Sequence, residues 1–340
     1  MIKCKNPIII GGSGSSGSTL LATILNRHPE IMIGPELSLF NKPVIYKNYD
    51  VFKKNINGIM DSGISTRGWF LYWETFKDLE KFGWEKKDLL KTIHSSKNNV
   101  EFIDKFFEKS LVKEQKIIWG EKTPSNSYYF DSFVQLYPKG RIIHIYRDYR
   151  DVVSSLKNRG MSSYFASMVY LYNCSMALRC QEMKNYYGIS YEFLVSNPEA
   201  ALKELCNFLK ITYYKELMDG SSKDNSKKLH SWNNDPSGKI TPDSINGKKR
   251  NLSKYDYFIF NHIRISKTHK KKFNLELDSI KKINNVLGYD NGTNSFSIIM
   301  RLLFSIKLIS SMLLDLLKRY IVMLYIDKKI YHTPGTLKFW

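Results

Sequence analysis

Two hydrophobic rhythms alternate along this chain. Short apolar runs bounded by small or polar residues predict buried strands. Longer stretches with apolar residues every three to four positions predict amphipathic helices. Ile8, Ile9 and Ile10 form the first run, and Leu20, Leu21, Ile24 and Leu25 carry the helical spacing that follows. HPEIMIGPELSLF (28–40) predicts a short strand or turn ending near residues 34–36, and residues 50–115 read as helices charged in patches. KIIWGEKTP (116–124) predicts a strand ending in polar residues, and RIIHIY (141–146) another, followed at once by the basic, then helical RDYRDVVSSL. Helix is expected over 161–184, strand over GISYEFLV (188–195), and an amphipathic helix over 197–211 with Asn197 as N-cap and Pro198 in its first turn. Strands alternating with helices imply an α/β fold built on a parallel sheet.

The segment between the first strand and helix, GGSGSSGSTLL (11–21), carries the strongest chemical signal. A strand, a loop of residues without bulk and a new helix N-terminus form the geometry that holds a phosphate, because backbone N–H groups then point at the charge. Gly14 and Gly17 supply the close approach, and Ser15, Ser16, Ser18 and Thr19 add hydroxyl donors. The plainer alternative is a serine-rich turn. The loop lacks the G-K-[ST] ending of nucleoside-triphosphatases, in which lysine reaches the terminal phosphates. An ATP or GTP hydrolase is therefore disfavoured. In parallel sheets ligands bind outside the carboxyl ends of strands. The loop, the EKTP segment and Arg147 all fall at such ends.

Charge and composition narrow the partners. The 340 residues hold 52 Lys and Arg against 32 Asp and Glu, a net charge of +20. This suits anionic ligands, anionic polymers or membrane surfaces. Zinc-finger spacing and aromatic-basic RNA signatures are missing, so nucleic acid is not expected. Cys4, Cys174, Cys180 and Cys206 lack metal-pair spacing and read as buried thiols of a reducing compartment. No metal is expected. MIKCKNPIII runs directly into the first strand without a secretory h-region, so a cytoplasmic location is expected. Trp69, Phe70, Tyr72, Trp73, Phe76, Phe82 and Trp84 cluster as a core stripe or an acceptor-binding wall. Residues 219–250, rich in turn formers and lysine, read as a mobile loop or lid, or as plain disorder.

From about residue 6 to 290 the chain resembles sulfotransferases that use 3′-phosphoadenosine 5′-phosphosulfate (PAPS), of the bacterial type related to tyrosylprotein and heparan sulfotransferases. GGSGSSGSTLL resembles their 5′-phosphosulfate loop, and RIIHIYRDYRDVVSSL their 3′-phosphate segment. The YEFLVSNPEAALKELCNFLKI stretch and the closing LGYD (287–290) are also typical. The resemblance implies a P-loop-NTPase-like three-layer fold over 1–290 and PAPS as co-substrate. It implies that Arg147 and Ser155, eight residues apart, bind the 3′-phosphate. It implies Glu36 as catalytic base, with Glu121 of EKTP as its competitor. His28 and His144 read as structural. Most members place Lys or Arg where this chain has Ser15, and Lys122 is expected to take over that electrostatic role. Lys248, Lys249 and Arg250 resemble the basic lid over the 3′-phosphate, with a solvated charge run as the alternative.

The implied reaction is sulfuryl transfer by in-line displacement to a hydroxyl acceptor: carbohydrate, glycolipid or peptide tyrosine. A kinase-like phosphotransferase and a non-catalytic nucleotide-binding protein of the same fold are the alternatives.

Beyond the resemblance, residues 291–340 form a C-terminal extension. IIMRLLFSIKLISSMLLDLLKRYIVMLYI (298–326) places Arg301, Lys307, Asp315, Lys318 and Arg319 on one side of a helix and leaves a broad apolar face. That pattern suits peripheral contact with the inner face of a membrane, packing on the domain, or a dimer. The charges argue against a span.

Overall fold

The computed structural model describes residues 6–34, 36–37, 39–41, 49–50, 52–54, 56, 82–219, 240–242, 245, 252–292 and 295–325, with the backbone alone at 318–319 and 321–325. Five parallel strands form one sheet in the order β2-β3-β1-β4-β5. They are β1 (Ile8–Gly12), β2 (Ile31–Ile33), β3 (Ile118–Lys122), β4 (Arg141–Tyr146) and β5 (Tyr186–Ser190). The helices between and after them are α1 (Ser18–Asn26), α2 (Lys86–Ser95), α3 (Asn99–Glu114), α4 (Phe130–Leu136), α5 (Tyr149–Asn158), α6 (Ser163–Leu178), α7 (Tyr191–Ser196) and α8 (Pro198–Leu209). Four more close the chain: α9 (Lys254–His262), α10 (Lys267–Phe273), α11 (Ile280–Leu287) and α12 (Ile298–Tyr325).

Alternation along the strands sorts side chains into two cores. Ile8 and Ile10 of β1 and Ile143 and Ile145 of β4 pack with Leu21, Leu25, Leu202 and Leu205 of α1 and α8. Ile9, Trp119 and Ile142 face the other way, into a core built with Phe102, Phe106 and Phe107 of α3 and the long, all-round apolar α6. Trp119 stacks on Phe107 with centroids 4.3 Å apart. Both faces are covered, which gives three layers, and burial on both sides explains the unbroken apolar runs of β1 and β2. At the β2 edge, Asn26 replaces a strand neighbour: its amide donates to the Ile33 carbonyl at 2.5 Å and accepts from the Ile33 N–H at 2.6 Å.

The sheet and its flanking helices match the expected α/β class. The strand predicted over 188–195 is corrected. β5 begins two residues earlier and ends at Ser190, whose hydroxyl accepts from the Phe193 N–H at 3.0 Å and caps α7. Leu194 and Val195 are buried as helix residues, so their apolarity carried no strand information. The helix expected over 161–184 is α6 and stops at Leu178 in a series of turns. Asn197 occupies the N-cap position of α8 but makes no side-chain capping bond. Cys174, Cys180 and Cys206 are buried thiols; Cys4 lies outside the described residues.

The C-terminal extension is not detached. Phe304 of α12 meets Tyr255 and Phe258 of α9 at centroid distances of 5.4 and 5.5 Å, and Leu308 packs on the same core. Among the described residues no helix is long and apolar enough to cross a membrane.

Candidate active site

β1 delivers the chain into residues 13–17 at the carboxyl edge of the sheet, where β4 runs alongside. Ser15 (φ 69°) and Gly17 (φ 96°) are left-handed. Left-handed residues set into a turn swing backbone N–H groups toward a common centre, an anion-binding nest. Gly17 is required on two counts. Its φ is costly for any other residue, and a Cβ there would lie 2.4 Å from the Tyr191 ring. Ser16 is corrected as a hydroxyl donor to the ligand. It is fully buried and its hydroxyl donates to the Ser13 carbonyl at 2.6 Å, so it holds the loop together. Ser13 Oγ and Ser15 Oγ are out of solvent and make no hydrogen bond. A buried hydroxyl left in that state costs about 1–3 kcal/mol. An anion seated in the nest offsets such a cost, so the loop fits a phosphate-bearing ligand.

Gly14, Ser15, Gly17, Ser18 and Thr19 line a cleft of about 280 Å³ together with Glu36, Pro124, Arg147, Ser155, Arg159 and Tyr191. Segments far apart in sequence thus meet at one sheet edge. Glu36 arrives on the segment after β2. Gly34 makes its path available: a Cβ there would lie 2.2 Å from the buried Phe82 ring. Glu121 then fixes the segment from behind. Its carboxylate accepts the Leu37 N–H at 3.1 Å and the Thr123 hydroxyl at 2.6 Å, and a further bond from the Asn126 amide. Burial pushes the Glu121 carboxyl above the usual carboxylate range, while these three donors pull it back. Enclosed and fully engaged, Glu121 braces the segment that carries Glu36.

Lys122, the next residue, points its ammonium at the cleft lining. Nζ lies 2.5 Å from Glu36 Oε1 and 3.3 Å from Thr19 Oγ1. The Lys122 side chain is only 2% exposed, whereas Glu36 keeps 24%. A buried cation therefore stands between the carboxylate and the loop, in a chain whose loop itself carries none.

The second cluster gathers where β4 passes into α5. The Arg147 guanidinium lies 4.3 Å from the Tyr191 ring centroid. Its ion pair with Asp151 is present at 3.6 Å. That is long beside the 2.7–2.9 Å or so of a strong charge-assisted bond. Asp148 caps α5 and pairs with Arg150 at 2.5 Å. Ser155 and Arg159 are one turn apart and reach the same cleft. Glu192 locks the assembly: it accepts the Asp148 N–H at 3.0 Å and the Tyr289 hydroxyl at 2.6 Å. Tyr191 and Arg159 were not singled out by sequence reasoning. Arg159 had a signal, since it extends the Arg147–Ser155 spacing by one helical turn. Tyr191 had none, since it was read inside a strand.

His28 holds a turn. Its ring bridges the Thr212 carbonyl at 2.8 Å and the Glu30 N–H at 3.1 Å, and burial lowers its pKa. His144 is enclosed in β4, 2.6 Å from the Tyr186 hydroxyl, and burial drives its pKa down to about 3. Both are structural, as expected. Lys248, Lys249 and Arg250 lie outside the described residues, as do Trp69, Phe70, Tyr72, Trp73 and Phe76. Phe82 and Trp84 are core: the Trp84 indole donates to the Phe106 carbonyl at 2.9 Å. A larger cavity, about 700 Å³, lies at the opposite edge of the sheet around Arg141 and Lys184. It is remote from the loop and takes no part in this site.

The family model described as "Sulfotransferase family" matches residues 7–216, more than half of the chain and every residue that lines the cleft. The chain belongs to the sulfotransferase family. A putative protein-tyrosine sulfotransferase of Caenorhabditis briggsae is 22% identical over 223 residues, covering 62% of this sulfotransferase and 68% of the relative. Among solved structures, the sulfotransferase domain of the Synechococcus PCC 7002 olefin synthase superposes with a TM-score of 0.57 at 21% identity. It covers 85% of this chain and 97% of that one. The sulfotransferase domain from the curacin biosynthetic pathway gives 0.50 at 18% identity, over 85% and 99%. At these identities the two structures speak for the fold.

Proposed function

We propose that this sulfotransferase takes PAPS as its donor and passes the sulfuryl group to an acceptor hydroxyl, with Glu36 as the base. The observation that carries the reading is Lys122 held between Glu36 and Thr19 at the mouth of the loop. When bound, the donor supplies a sulfuryl group on a 5′-phosphate leaving group and a separate 3′-phosphate. The loop residues 13–19 would hold the 5′ side through backbone N–H groups and the Ser15, Ser18 and Thr19 hydroxyls. Arg147, Ser155 and Arg159 would hold the 3′-phosphate, with the Tyr191 ring keeping the Arg147 guanidinium in place.

Glu36 keeps enough exposure to reach an acceptor and accepts the proton from its hydroxyl at Oε1 or Oε2. Lys122 offsets negative charge on the leaving side, the role that Ser15 leaves vacant in the loop. The acceptor we propose is a carbohydrate or glycolipid, supported by a net charge of +20, which favours acidic chains. The tyrosine sulfotransferase relative supports peptide tyrosine as the second acceptor to try.

The test is release of 3′-phosphoadenosine 5′-phosphate (PAP) from PAPS, measured with a panel of oligosaccharides, glycolipids and tyrosine peptides. Glu36→Gln should lower kcat by about 10²–10⁴-fold while PAPS binding is kept. An unchanged kcat would remove Glu36 from the mechanism. No turnover with any acceptor, despite PAP binding, would favour a binding protein.

A further inference from the structure

The described residues include sixteen large apolar side chains that stand exposed, and twelve of them belong to α12, at 44 to 86% exposure. At about 100° per residue these twelve fill an arc of roughly 200°, centred on Leu302, Leu313 and Tyr320. The remaining side carries Phe304, Leu308 and Ser311, which turn toward α9 and α6. Basic residues border the arc on both sides: Arg301 at one edge and Lys307 at the other, where its ammonium sits 4.5 Å over the Tyr255 ring. The single acid of the helix, Asp315, sits on the side away from the arc's centre and is half-buried.

We infer that the outward face of α12 lies in the headgroup region of an anionic membrane and anchors the enzyme there. Two features choose this occupant over a second copy of the chain. A helix packed on protein buries a stripe of about 100°, and a coiled-coil seam is narrower. Pairing two α12 helices would leave half of the arc in water, whereas a helix sunk to its axis in a lipid surface covers the whole arc. Moreover, two such faces meeting would oppose basic borders to basic borders within a chain already at +20. Lipid phosphates complement those borders, and the long stems of Lys and Arg reach them from the edge of an apolar face. The helix, at about 1.5 Å per residue, runs along the surface, and its charges keep it from crossing.

This inference is independent of the sulfuryl-transfer reading. Its test is co-sedimentation of the full chain with phosphatidylcholine vesicles, with and without phosphatidylglycerol, at low and high salt. Concentration-dependent sedimentation without lipid runs in parallel. The variant is L302D/L313D, at the centre of the exposed arc, with thermal unfolding as the control for folding. Salt-sensitive binding to anionic vesicles, weakened at least about tenfold in the variant with its unfolding midpoint unchanged, is the expected result. Absence of vesicle binding, or binding that the variant leaves intact, overturns the inference. So does a dimer that L302D/L313D converts to monomer without lipid ever binding. Should that variant unfold, R301Q/K307Q replaces it, and loss of the preference for anionic over neutral vesicles is then the result required.

Discussion

The two halves of the cleft are built from different kinds of polar group. Residues 13–19 offer neutral groups, a nest of backbone N–H and hydroxyls shaped by the left-handed Ser15 and Gly17. The β4–α5 side offers side-chain cations, Arg147 just after strand β4 and Arg159 at the C-cap of helix α5. A nest depends on backbone shape and is indifferent to side-chain chemistry as long as the side chain is small. A cationic cluster depends on charge and tolerates change in its surroundings. The halves are joined through one ring. Tyr191 touches the Gly17 position on one side and carries the Arg147 guanidinium on the other. Lys122 stands where the first half would otherwise lack a cation.

Removing that cation should have the largest effect. In Lys122→Met the Glu36 carboxylate loses its ion pair with Lys122, and the mouth of the loop loses its buried cation. A kcat drop of about 10²–10⁴-fold is expected, of the size seen when an electrostatic or acid–base group is lost. PAP affinity should fall far less, which titration would show; equal losses in the two would make Lys122 a binding residue only.

Next come paired changes that separate shape from charge. Arg147→Ala should weaken PAP by about 1.5–3 kcal/mol, the worth of a charged hydrogen bond, and leave AMP almost untouched. Gly17→Ala meets both the φ penalty and the Tyr191 ring, and should weaken AMP and PAP alike with a lower unfolding midpoint. If Gly17→Ala spared AMP, the nest would not be the 5′ subsite. A smaller effect tests the joint. Tyr191→Ala should cost PAP binding about 0.5–2 kcal/mol, the range of a cation–π contact, while Tyr191→Phe keeps it. Smallest is Ser15→Arg, which puts a cation back in the loop. It should raise PAP affinity by about twofold at most, and lowered affinity would show that the left-handed backbone at this position excludes a long side chain.

The comparison also shows what was legible in the chain. The nest could be read directly, because only small residues permit its shape and they stand in one unbroken run. Arg147 and Ser155 were named by the family resemblance of the segment that carries them, and the strand end and helix bring both to one cleft. Glu36 and Lys122 needed the fold: their meeting depends on β2 and β3 being neighbours, which no local pattern encodes. Glu121 shows the limit most clearly. In sequence it is a polar residue beside a lysine and a fair candidate base; burial and three donors make it a brace. Tyr191 was lost for a different reason. Aromatic and aliphatic residues in YEFLV favour strand by composition, and only the Ser190 cap turns them into helix α7. On α12 the periodicity was read correctly, and the structure adds which side faces the domain.

The most direct test of the central claim, that this cleft is built for a nucleotide phosphorylated at both 3′ and 5′ positions, is calorimetric titration with PAP, AMP and ATP in the absence of metal. Binding of PAP at least about tenfold tighter than AMP or ATP, with the advantage abolished in Arg147→Ala, is the predicted result. Equal affinity for PAP and AMP, or an advantage that survives Arg147→Ala, would contradict it.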